Sequence, residues 1–152
     1  MSTVYLAGPI DKVSTEKATT WREHAARRLN ELGHLVCDPN RVWVLSDKQR
    51  GNLRTSDYAA IVGTDLTAVR LTNAMLVYSD NDTPSCGTYI EVGWACAREK
   101  TIAFYSPSGN FPGFVIGLRE NAADIGQGKI EMFTDLGRAC GWLDSVFTGK
   151  RI

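Results

Sequence analysis

Short, nearly continuous apolar runs alternate along the chain with longer segments in which apolar residues recur every three or four positions. The apolar runs predict buried strands at residues 4–7, 34–37, 74–78, 101–105 and 130–133. The recurring pattern predicts helices over about residues 15–32, 57–71, 87–100 and 134–147. Strands without polar alternation are typical of a parallel sheet covered on both faces. The pattern therefore predicts an α/β fold with a five-stranded parallel sheet and helices on both faces.

The helical pattern is clearest in the first segment and weakest in residues 40–56. One face of the first predicted helix carries Ala18, Trp21, Ala25, Leu29 and Leu32, and a glycine, the residue that commonly follows a last helical turn, comes next. Residues 40–56 are polar and weakly patterned. A connection of that length is commonly functional or disordered, so we predict a long loop or lid there.

Length and charge limit the kinds of partner. The chain has 152 residues, which predicts a single domain over residues 1–152. Lysine plus arginine balances aspartate plus glutamate at 17 each, so no nucleic-acid polymer or anionic membrane is expected as a partner. The chain has neither an apolar run near the roughly 20 residues of a membrane span nor a basic leader, and a cytoplasmic location is expected.

Cysteine and histidine positions give no sign of a metal centre. The cysteines are far apart in the sequence and are expected to be reduced core thiols: Cys37, Cys86, Cys96 and Cys140. His24 and His34 have no cysteine or carboxylate at metal-ligand spacing. We therefore expect neither a metal ion nor a cofactor.

Three loops follow predicted strands at the edge where ligands bind in open parallel sheets. The first loop is Gly8-Pro9-Ile10, close to Tyr5. The second contains Ser85 and Gly87 at a predicted helix start, where free backbone N–H groups attract anions, and Glu91 lies one turn further on. The third contains Ser108 and Gly109. Together these loops predict an anion-binding cleft.

Each of these residues also has an ordinary structural interpretation. Ser85 is a suitable helix cap, and Glu91 suits the first turn of a helix, where the dipole favours a carboxylate. Tyr5 on a short strand is commonly a core residue, and Asp65 is commonly a solvated helix residue. Asp80 and Asp82 are typical turn formers. Composition and spacing alone indicate an α/β domain with an anion-friendly cleft and leave its chemistry open.

Several motifs resemble one enzyme family when read in order. They are Val4-Tyr5-Leu6-Ala7-Gly8-Pro9-Ile10, then Asp65, then Gly87-Thr88-x-x-Glu91-Val92-Gly93. Over about residues 3–110 the chain resembles the nucleoside 2-deoxyribosyltransferases, and this implies a flavodoxin-like (Rossmann-like) fold. The resemblance implies that Glu91 attacks C1′ of the sugar, that Tyr5 orients Glu91, and that Asp65 assists the leaving base.

One position separates two branches of this family. The deoxyribosyltransferases commonly carry an aspartate where this chain has Ser85, and a serine hydroxyl accommodates a phosphate better than a carboxylate does. The motif resembles the 2′-deoxynucleoside 5′-monophosphate N-hydrolases, in which a second serine, here Ser108, reaches the phosphate from a neighbouring subunit. Pro9 departs from that branch, where serine is common. The resemblance implies a homodimer that hydrolyses a (deoxy)nucleoside 5′-monophosphate, with the three loops binding substrate.

Three alternatives stay open at this stage. A true deoxyribosyltransferase would pass the sugar to a second base rather than to water. A non-catalytic nucleotide-binding module would bind the same ligands on the same fold without breaking a bond. A flavin carrier is suggested only by analogy with the fold.

Overall fold

Five parallel strands form the centre of the protein in a computed structural model that describes residues 1–11, 13–42, 52–124 and 128–150. The strands are β1 Thr3–Ala7, β2 Leu35–Cys37, β3 Ala74–Tyr78, β4 Thr101–Tyr105 and β5 Ile130–Phe133. Their order in the sheet is β2-β1-β3-β4-β5, and every neighbouring pair is parallel. This is the flavodoxin-like order, and the predicted five-stranded parallel sheet is confirmed.

The helices cover both faces of the sheet. They are α1 Thr15–Glu31, α2 Pro39–Val42, α3 Thr55–Leu71, α4 Cys86–Cys96, α5 Gly113–Asn121 and α6 Leu136–Thr148. One core cluster joins the sheet to α1 and α6, and a second joins it to α3, α4 and α5. No helix in the described part of the chain is both long and apolar enough to cross a membrane.

Alternation along β1 decides which side chains reach which layer. Val4 and Leu6 pack in the cluster with α1 and α6, whereas Tyr5 and Ala7 pack in the cluster with α3 and α4. Successive side chains of a strand point to opposite faces, so the two sets cannot mix. The hydroxyl of Tyr5 is thereby directed toward α3 and α4.

Helix α1 follows its predicted pattern closely. Ser14 caps it by accepting a hydrogen bond from the backbone N–H of Lys17 at 3.1 Å. The predicted apolar face is buried, including Trp21 and Leu29. The helix ends at Glu31, and Gly33 follows with φ +86°, a conformation that glycine adopts without steric cost.

Two helices were not predicted. The predicted loop over residues 40–56 is wrong at both ends, because α2 occupies its start and α3 begins at Thr55; residues 43–51 lie outside the described residues. Helix α5 was also missed. It carries Gly113 and Gly117 and lacks a side-chain cap, so its local signal is weak, and burial of Val115 holds it against the sheet.

Other boundaries and burial assignments differ in smaller ways. Helix α4 ends at Cys96 rather than at Lys100, because Glu99 turns the chain with φ 54°. All four cysteines are free, but the expected core position is wrong for Cys86, which is exposed at the start of α4. His34 precedes β2 and is buried, where its Nδ1 accepts a hydrogen bond from the backbone N–H of Ser2 at 3.3 Å.

A buried arginine fixes the turn after β1. The Arg22 side chain is 0% exposed and donates to the carbonyl oxygens of Ala18 at 2.7 Å and Gly8 at 2.8 Å. Its Nε lies 3.3 Å from a carboxylate oxygen of Asp38, which follows β2. A buried charge is tolerated when it is paired and hydrogen-bonded, so this network ties the turn to α1 and to the end of β2.

Gly8 is packed so closely that a methyl group does not fit. A Cβ placed on Gly8 would lie 2.8 Å from Cζ2 of Trp21 and 3.0 Å from Cβ of Tyr78. We expect Gly8→Ala to lower the free energy of unfolding by about 1 to 3 kcal/mol, because overpacking forces neighbouring groups to move. Urea denaturation monitored by circular dichroism measures this change.

Gly141→Ala in α6 is the matched control, since a Cβ there meets nothing within 4 Å. We expect it to leave stability unchanged or to raise it by up to about 1 kcal/mol, the difference in helix propensity between the two residues. Equal stability of Gly8→Ala and the wild-type protein would contradict the packing argument.

Candidate active site

A cleft of about 450 Å³ opens at the carboxyl ends of β1 and β3. Its walls are the loop after β1, one face of α3, and the loop that leads into α4 together with the start of that helix. In the sheet, β2 lies on one side of β1 and β3 lies on the other side, so the connections after β1 and before β3 run in opposite directions. Such a change of direction creates a crevice between neighbouring strands, which is where open α/β sheets bind ligands.

Three side chains predicted to be catalytic meet at the base of this cleft. The hydroxyl of Tyr5 donates a hydrogen bond to Oε1 of Glu91 at 3.1 Å. Tyr5 is 0% exposed, and Asp65 of α3 is 6% exposed. Asp65 and Glu91 share a hydrogen bond between their carboxyl groups. The sheet, α3 and α4 each contribute one member, so only the folded chain forms this group.

Burial controls the charge of Glu91. Removal from water raises the pKa of Glu91 to about 8, with a further upward contribution from the neighbouring Asp65 carboxylate. The Tyr5 hydrogen bond and the positive charge of Arg22 act in the opposite direction on this pKa. Burial and the charge of Glu91 also raise the pKa of Tyr5, so its hydroxyl stays protonated and remains a donor. The carboxyl pair therefore retains a proton at neutral pH.

Ser85 combines a structural role with a position in the cleft. It is the N-cap of α4, and its Oγ accepts hydrogen bonds from the backbone N–H of Thr88 at 3.4 Å and from the Thr88 hydroxyl at 3.0 Å. Both Thr88 groups are donors, so the cap does not use the hydroxyl hydrogen of Ser85. Ser85 and Gly87 also line the cleft. The cap and a ligand can therefore use different parts of one hydroxyl group.

The structure separates the remaining predicted binding residues into two groups. Gly8 and Ile10 line the cleft, whereas Pro9, Ser108 and Gly109 do not. Pro9 is buried, and its carbonyl oxygen accepts a hydrogen bond from Arg22 at 3.4 Å. Within this chain the Ser108 hydroxyl donates to Oδ2 of Asp80 at 2.6 Å.

Asp80 has a larger role than the turn former that the sequence suggested. Its carboxylate accepts hydrogen bonds from Ser106 at 2.8 Å, Ser108 at 2.6 Å and the backbone N–H of Asp82 at 2.9 Å. Burial opposes the charge of Asp80, but these hydrogen bonds outweigh it and lower its pKa. Asp80 thus joins the loop after β3, which carries Ser85, to the loop after β4.

Sequence reasoning also missed a contact at the mouth of the cleft. Tyr58 of α3 donates a hydrogen bond to Oδ2 of Asp11 at 2.6 Å, and both residues line the cleft. Tyr58 and Asp65 lie on one face of α3, two turns apart. That spacing was visible in the sequence and could have indicated that Tyr58 belongs to the site. Asp11 has no comparable signal, because it lies in an irregular loop.

The donor set of the described residues does not suggest a metal centre. Among them, no three or more histidine, cysteine, aspartate or glutamate side chains are grouped so that they could hold a metal ion.

Comparison with protein families gives one match that covers most of the chain. A sequence model described as nucleoside 2-deoxyribosyltransferase matches residues 4–129. This range includes Tyr5, Asp65 and Glu91. No curated protein sequence matches the chain significantly.

Several solved structures share the fold. A 2-deoxyribosyltransferase from Bacillus psychrosaccharolyticus has a TM-score of 0.66 and 18% identity, with 90% of this chain and 89% of that chain covered. The CMP N-glycosidase BcmB from Clostridium botulinum has a TM-score of 0.57 and 17% identity, with 95% and 98% covered. A flavodoxin-like domain of a Synechococcus protein has a TM-score of 0.53 and 12% identity, with 97% and 99% covered. At sequence identities this low, the similarity to these structures shows a shared fold.

The raised pKa of Glu91 predicts a pH-dependent difference in stability. Folding raises this pKa from 4.5 to about 8, so the folded protein binds the Glu91 proton more tightly than the unfolded chain does. The stabilising contribution is complete below about pH 4.5 and is lost as the pH rises toward 8. We expect Glu91→Gln, which carries no charge, to gain about 1 kcal/mol or more relative to wild type between about pH 5 and 9.

Thermal unfolding measured across this pH range tests the prediction, and 1 kcal/mol corresponds to roughly 2 to 4 °C in Tm for a chain of this size. Glu16→Gln, which removes a carboxylate from an exposed position of α1, is the control. If the difference between Glu91→Gln and wild type does not change with pH, the buried carboxyl pair does not exist in solution.

Proposed function

The chain belongs to the nucleoside 2-deoxyribosyltransferase family, and we propose that it hydrolyses the N-glycosidic bond of a (deoxy)nucleoside 5′-monophosphate. The products would be the free base and the sugar 5-phosphate. The observation that carries this proposal is the placement of Glu91, which is held by Tyr5 at 3.1 Å and paired with Asp65 in a strand-end cleft. A carboxylate in that position can stabilise and then bond to an oxocarbenium-like sugar carbon.

Contact between the two carboxyl groups favours a covalent mechanism. An inverting hydrolase needs its carboxyl groups roughly 6.5 to 9.5 Å apart so that a water molecule fits between one of them and the sugar. Asp65 and Glu91 instead share a hydrogen bond. This closeness favours attack by one carboxylate itself, with retention of configuration at C1′.

In the resting protein the raised pKa of Glu91 keeps the proton of the pair on Glu91. We propose that the positive charge that develops at C1′ of a bound substrate favours ionised Glu91 and moves this proton to Asp65 across their shared hydrogen bond. Glu91 is then the nucleophile of the first step and Asp65 the acid. An oxygen of Glu91 bonds to C1′ while the bond between C1′ and the base nitrogen breaks, and Asp65 gives its proton to that nitrogen. The base leaves neutral, Asp65 becomes a carboxylate, and Glu91 becomes an ester of the sugar. The Tyr5 hydroxyl keeps the attacking oxygen of Glu91 in position.

The second step reverses these roles. Asp65 takes a proton from a water molecule as the water oxygen bonds to C1′ and the ester bond to Glu91 breaks. The sugar leaves with a hydroxyl group at C1′, Glu91 is again a carboxylate, and the pair again holds one proton. The cycle needs no additional acid or base.

Ser85 and the start of α4 support a phosphate at the far end of the sugar. The hydroxyl hydrogen of Ser85 is not used by its cap, and the first backbone N–H groups of a helix attract an anion. Glu91 lies on the same helix, between one and two turns further along. A nucleotide can therefore lie along α4 with its phosphate at Ser85 and its C1′ at Glu91.

A second candidate is supported by the other charges in the cleft. Asp11 and Asp82 also line it, and carboxylates repel a phosphate. This observation favours an unphosphorylated nucleoside and a deoxyribosyltransferase, in which a second base replaces water in the second step. The active groups Glu91, Tyr5 and Asp65 would keep the same roles.

We extend the proposal to a homodimer with a shared active site. Phe114 and Ile116 of α5, at 71% and 44% exposed, follow the loop of Ser108 and offer apolar surface for a second copy. Ser108 would have to release Asp80 before its hydroxyl could bind a partner's phosphate.

Removing the nucleophile should abolish turnover. We expect Glu91→Gln to lower kcat for release of free base by at least about 10³-fold, because Tyr5 and Asp65 cannot substitute for a missing nucleophile. Chromatographic detection of the base from a panel of nucleotides and nucleosides measures this. Wild-type protein trapped with a nucleotide should carry the mass of one sugar phosphate on the peptide that contains Glu91, and protein trapped with a nucleoside should carry the mass of one sugar.

Glu16→Gln is the control here and should retain full activity. If wild-type protein binds nucleotides but releases no base from any member of the panel, the chain is a binding module and the proposed hydrolase is wrong.

Exchanging Ser85 for aspartate should change the preferred substrate. Aspartate caps helices as well as serine does, so the start of α4 should stay intact, while its charge repels a phosphate. We expect Ser85→Asp to lower kcat/KM for nucleoside monophosphates by about tenfold or more and to leave kcat/KM for nucleosides unchanged or higher. Ser85→Thr, which keeps the hydroxyl, is the control. An unchanged ratio of the two substrate types would remove Ser85 from phosphate binding.

A further inference from the structure

We propose that Asp80 is a positioning residue that sets the cleft wall at the phosphate end by holding the loop over residues 79–85. This inference rests on the proposed function, because it assumes that a phosphate lies at Ser85. Asp80 is 4% exposed and does not line the cleft, so it would act through its neighbours and not by touching substrate. Loss of Asp80 is therefore expected to weaken the binding of nucleotides more than the binding of nucleosides.

Asp80 holds the backbone of this loop directly. Its Oδ1 accepts a hydrogen bond from the N–H of Asp82 at 2.9 Å, and its main-chain carbonyl oxygen accepts one from the N–H of Thr83 at 3.1 Å. Asp82 and Thr83 line the cleft, and Ser85 follows as the N-cap of α4. The loop is therefore fixed at its start by Asp80 and at its end by the helix.

The second oxygen of the carboxylate anchors the loop to the one that follows β4. Oδ2 of Asp80 accepts hydrogen bonds from the hydroxyl groups of Ser106 at 2.8 Å and Ser108 at 2.6 Å. Ser106 is 0% exposed, and its backbone N–H donates to the carbonyl oxygen of Phe133 in β5 at 3.0 Å. Asp80 thus connects the cleft wall to the sheet through a network of buried hydrogen bonds.

Removing this carboxylate should free the loop. Asp80→Ala would leave two hydroxyl groups and one backbone N–H without their acceptor, and buried donors without a partner are unfavourable. The loop would then adopt other arrangements in which these groups reach water. Because the affinity of a ligand falls with the fraction of protein in the binding-competent arrangement, phosphate binding would weaken. Tyr5, Asp65 and Glu91 lie outside the loop, so binding of the sugar and base should change less.

The change Asp80→Asn separates positioning from the effect of charge. Its amide keeps an acceptor oxygen for the N–H of Asp82, and serine hydroxyl groups can accept from the amide nitrogen as well as donate. The loop should therefore stay in place. If Asp80 acted only through its negative charge, removing that charge would favour a phosphate, and both Asp80→Asn and Asp80→Ala would bind nucleotides more tightly.

Calorimetry measures the effect on binding, with Glu91→Gln as the reference protein so that turnover does not interfere. The ligands are dCMP, dTMP, dAMP and dGMP and their four nucleosides. We expect Asp80→Ala to raise the dissociation constant for nucleotides by about tenfold or more and for nucleosides by less than about threefold. Asp80→Asn should change both by less than about threefold. In protein that also carries Ser85→Ala, Asp80→Ala should cost less than about threefold, because coupled residues are not additive.

Hydrogen exchange followed by mass spectrometry tests the positioning of the loop without a ligand. Asp80→Ala should speed amide exchange in residues 79–88 by about tenfold or more, and Asp80→Asn should not. Asp144→Ala is the matched control, because Asp144 is paired with His34 at 3.1 Å, is 15% exposed in its side chain, and lies at the amino ends of the strands. It should lower thermal stability without changing exchange in residues 79–88 or the affinity for nucleotides.

The outcomes separate this inference from the proposed function. Equal losses of affinity for nucleotides and nucleosides, tighter binding of nucleotides, or full additivity with Ser85→Ala overturns the inference even if wild-type protein cleaves nucleotides. Unchanged exchange in residues 79–88 of Asp80→Ala also overturns it. Faster exchange there, in a protein that binds no nucleotide, supports the positioning of the loop by Asp80 and overturns the proposed hydrolase.

Discussion

The buried carboxyl group of Glu91 is the feature on which the rest of the site depends. Burial makes its charge unfavourable, and Asp65 beside it adds to that effect, whereas the Tyr5 hydroxyl and the charge of Arg22 favour the ionised form. Burial outweighs the two favourable contacts, so the carboxyl pair keeps a proton in the resting protein. Water does not reach the ionised Glu91 carboxylate to stabilise it, but a positively charged sugar carbon would. The charge of Glu91 would therefore be favoured only when positive charge develops at C1′ during the reaction.

Much of the surrounding structure serves to hold these groups in place. Alternation along β1 directs Tyr5 toward α3 and α4. The buried ion pair of Arg22 and Asp38 fixes the turn after that strand, and the tight packing of Gly8 leaves the turn little room to move. On the other side of the cleft Asp80 ties together the loops that follow β3 and β4. The Arg22–Asp38 pair and Asp80 each use a buried charge whose partners lie on other segments of the chain.

The distribution of charge in the cleft is uneven, and this bears on the choice of substrate. The start of α4 and the Ser85 hydroxyl favour an anion at one end. Asp11 and Asp82 add negative charge elsewhere on the walls. A negatively charged group is therefore favoured near Ser85 and disfavoured near the two carboxylates. Membership of the deoxyribosyltransferase family is compatible with either a nucleotide or a nucleoside in this cleft, because both would present the same C1′ carbon to Glu91, the proposed nucleophile.

The apolar pattern alone determined the five strands, the α/β class and most of the long helices, because burial on both faces leaves a continuous apolar signal in each strand. The resemblance carried by the motifs at Tyr5, Asp65 and Glu91 predicted that these three residues act together. Helix α5 gave no such signal, since its stability comes from packing against the sheet rather than from its own residues. The charge state of Glu91 and the pairings of Arg22, Asp80 and Asp11 were decided only by the tertiary structure. Those properties arise from burial and from contacts between residues far apart in the chain, and neither leaves a periodic trace in the sequence.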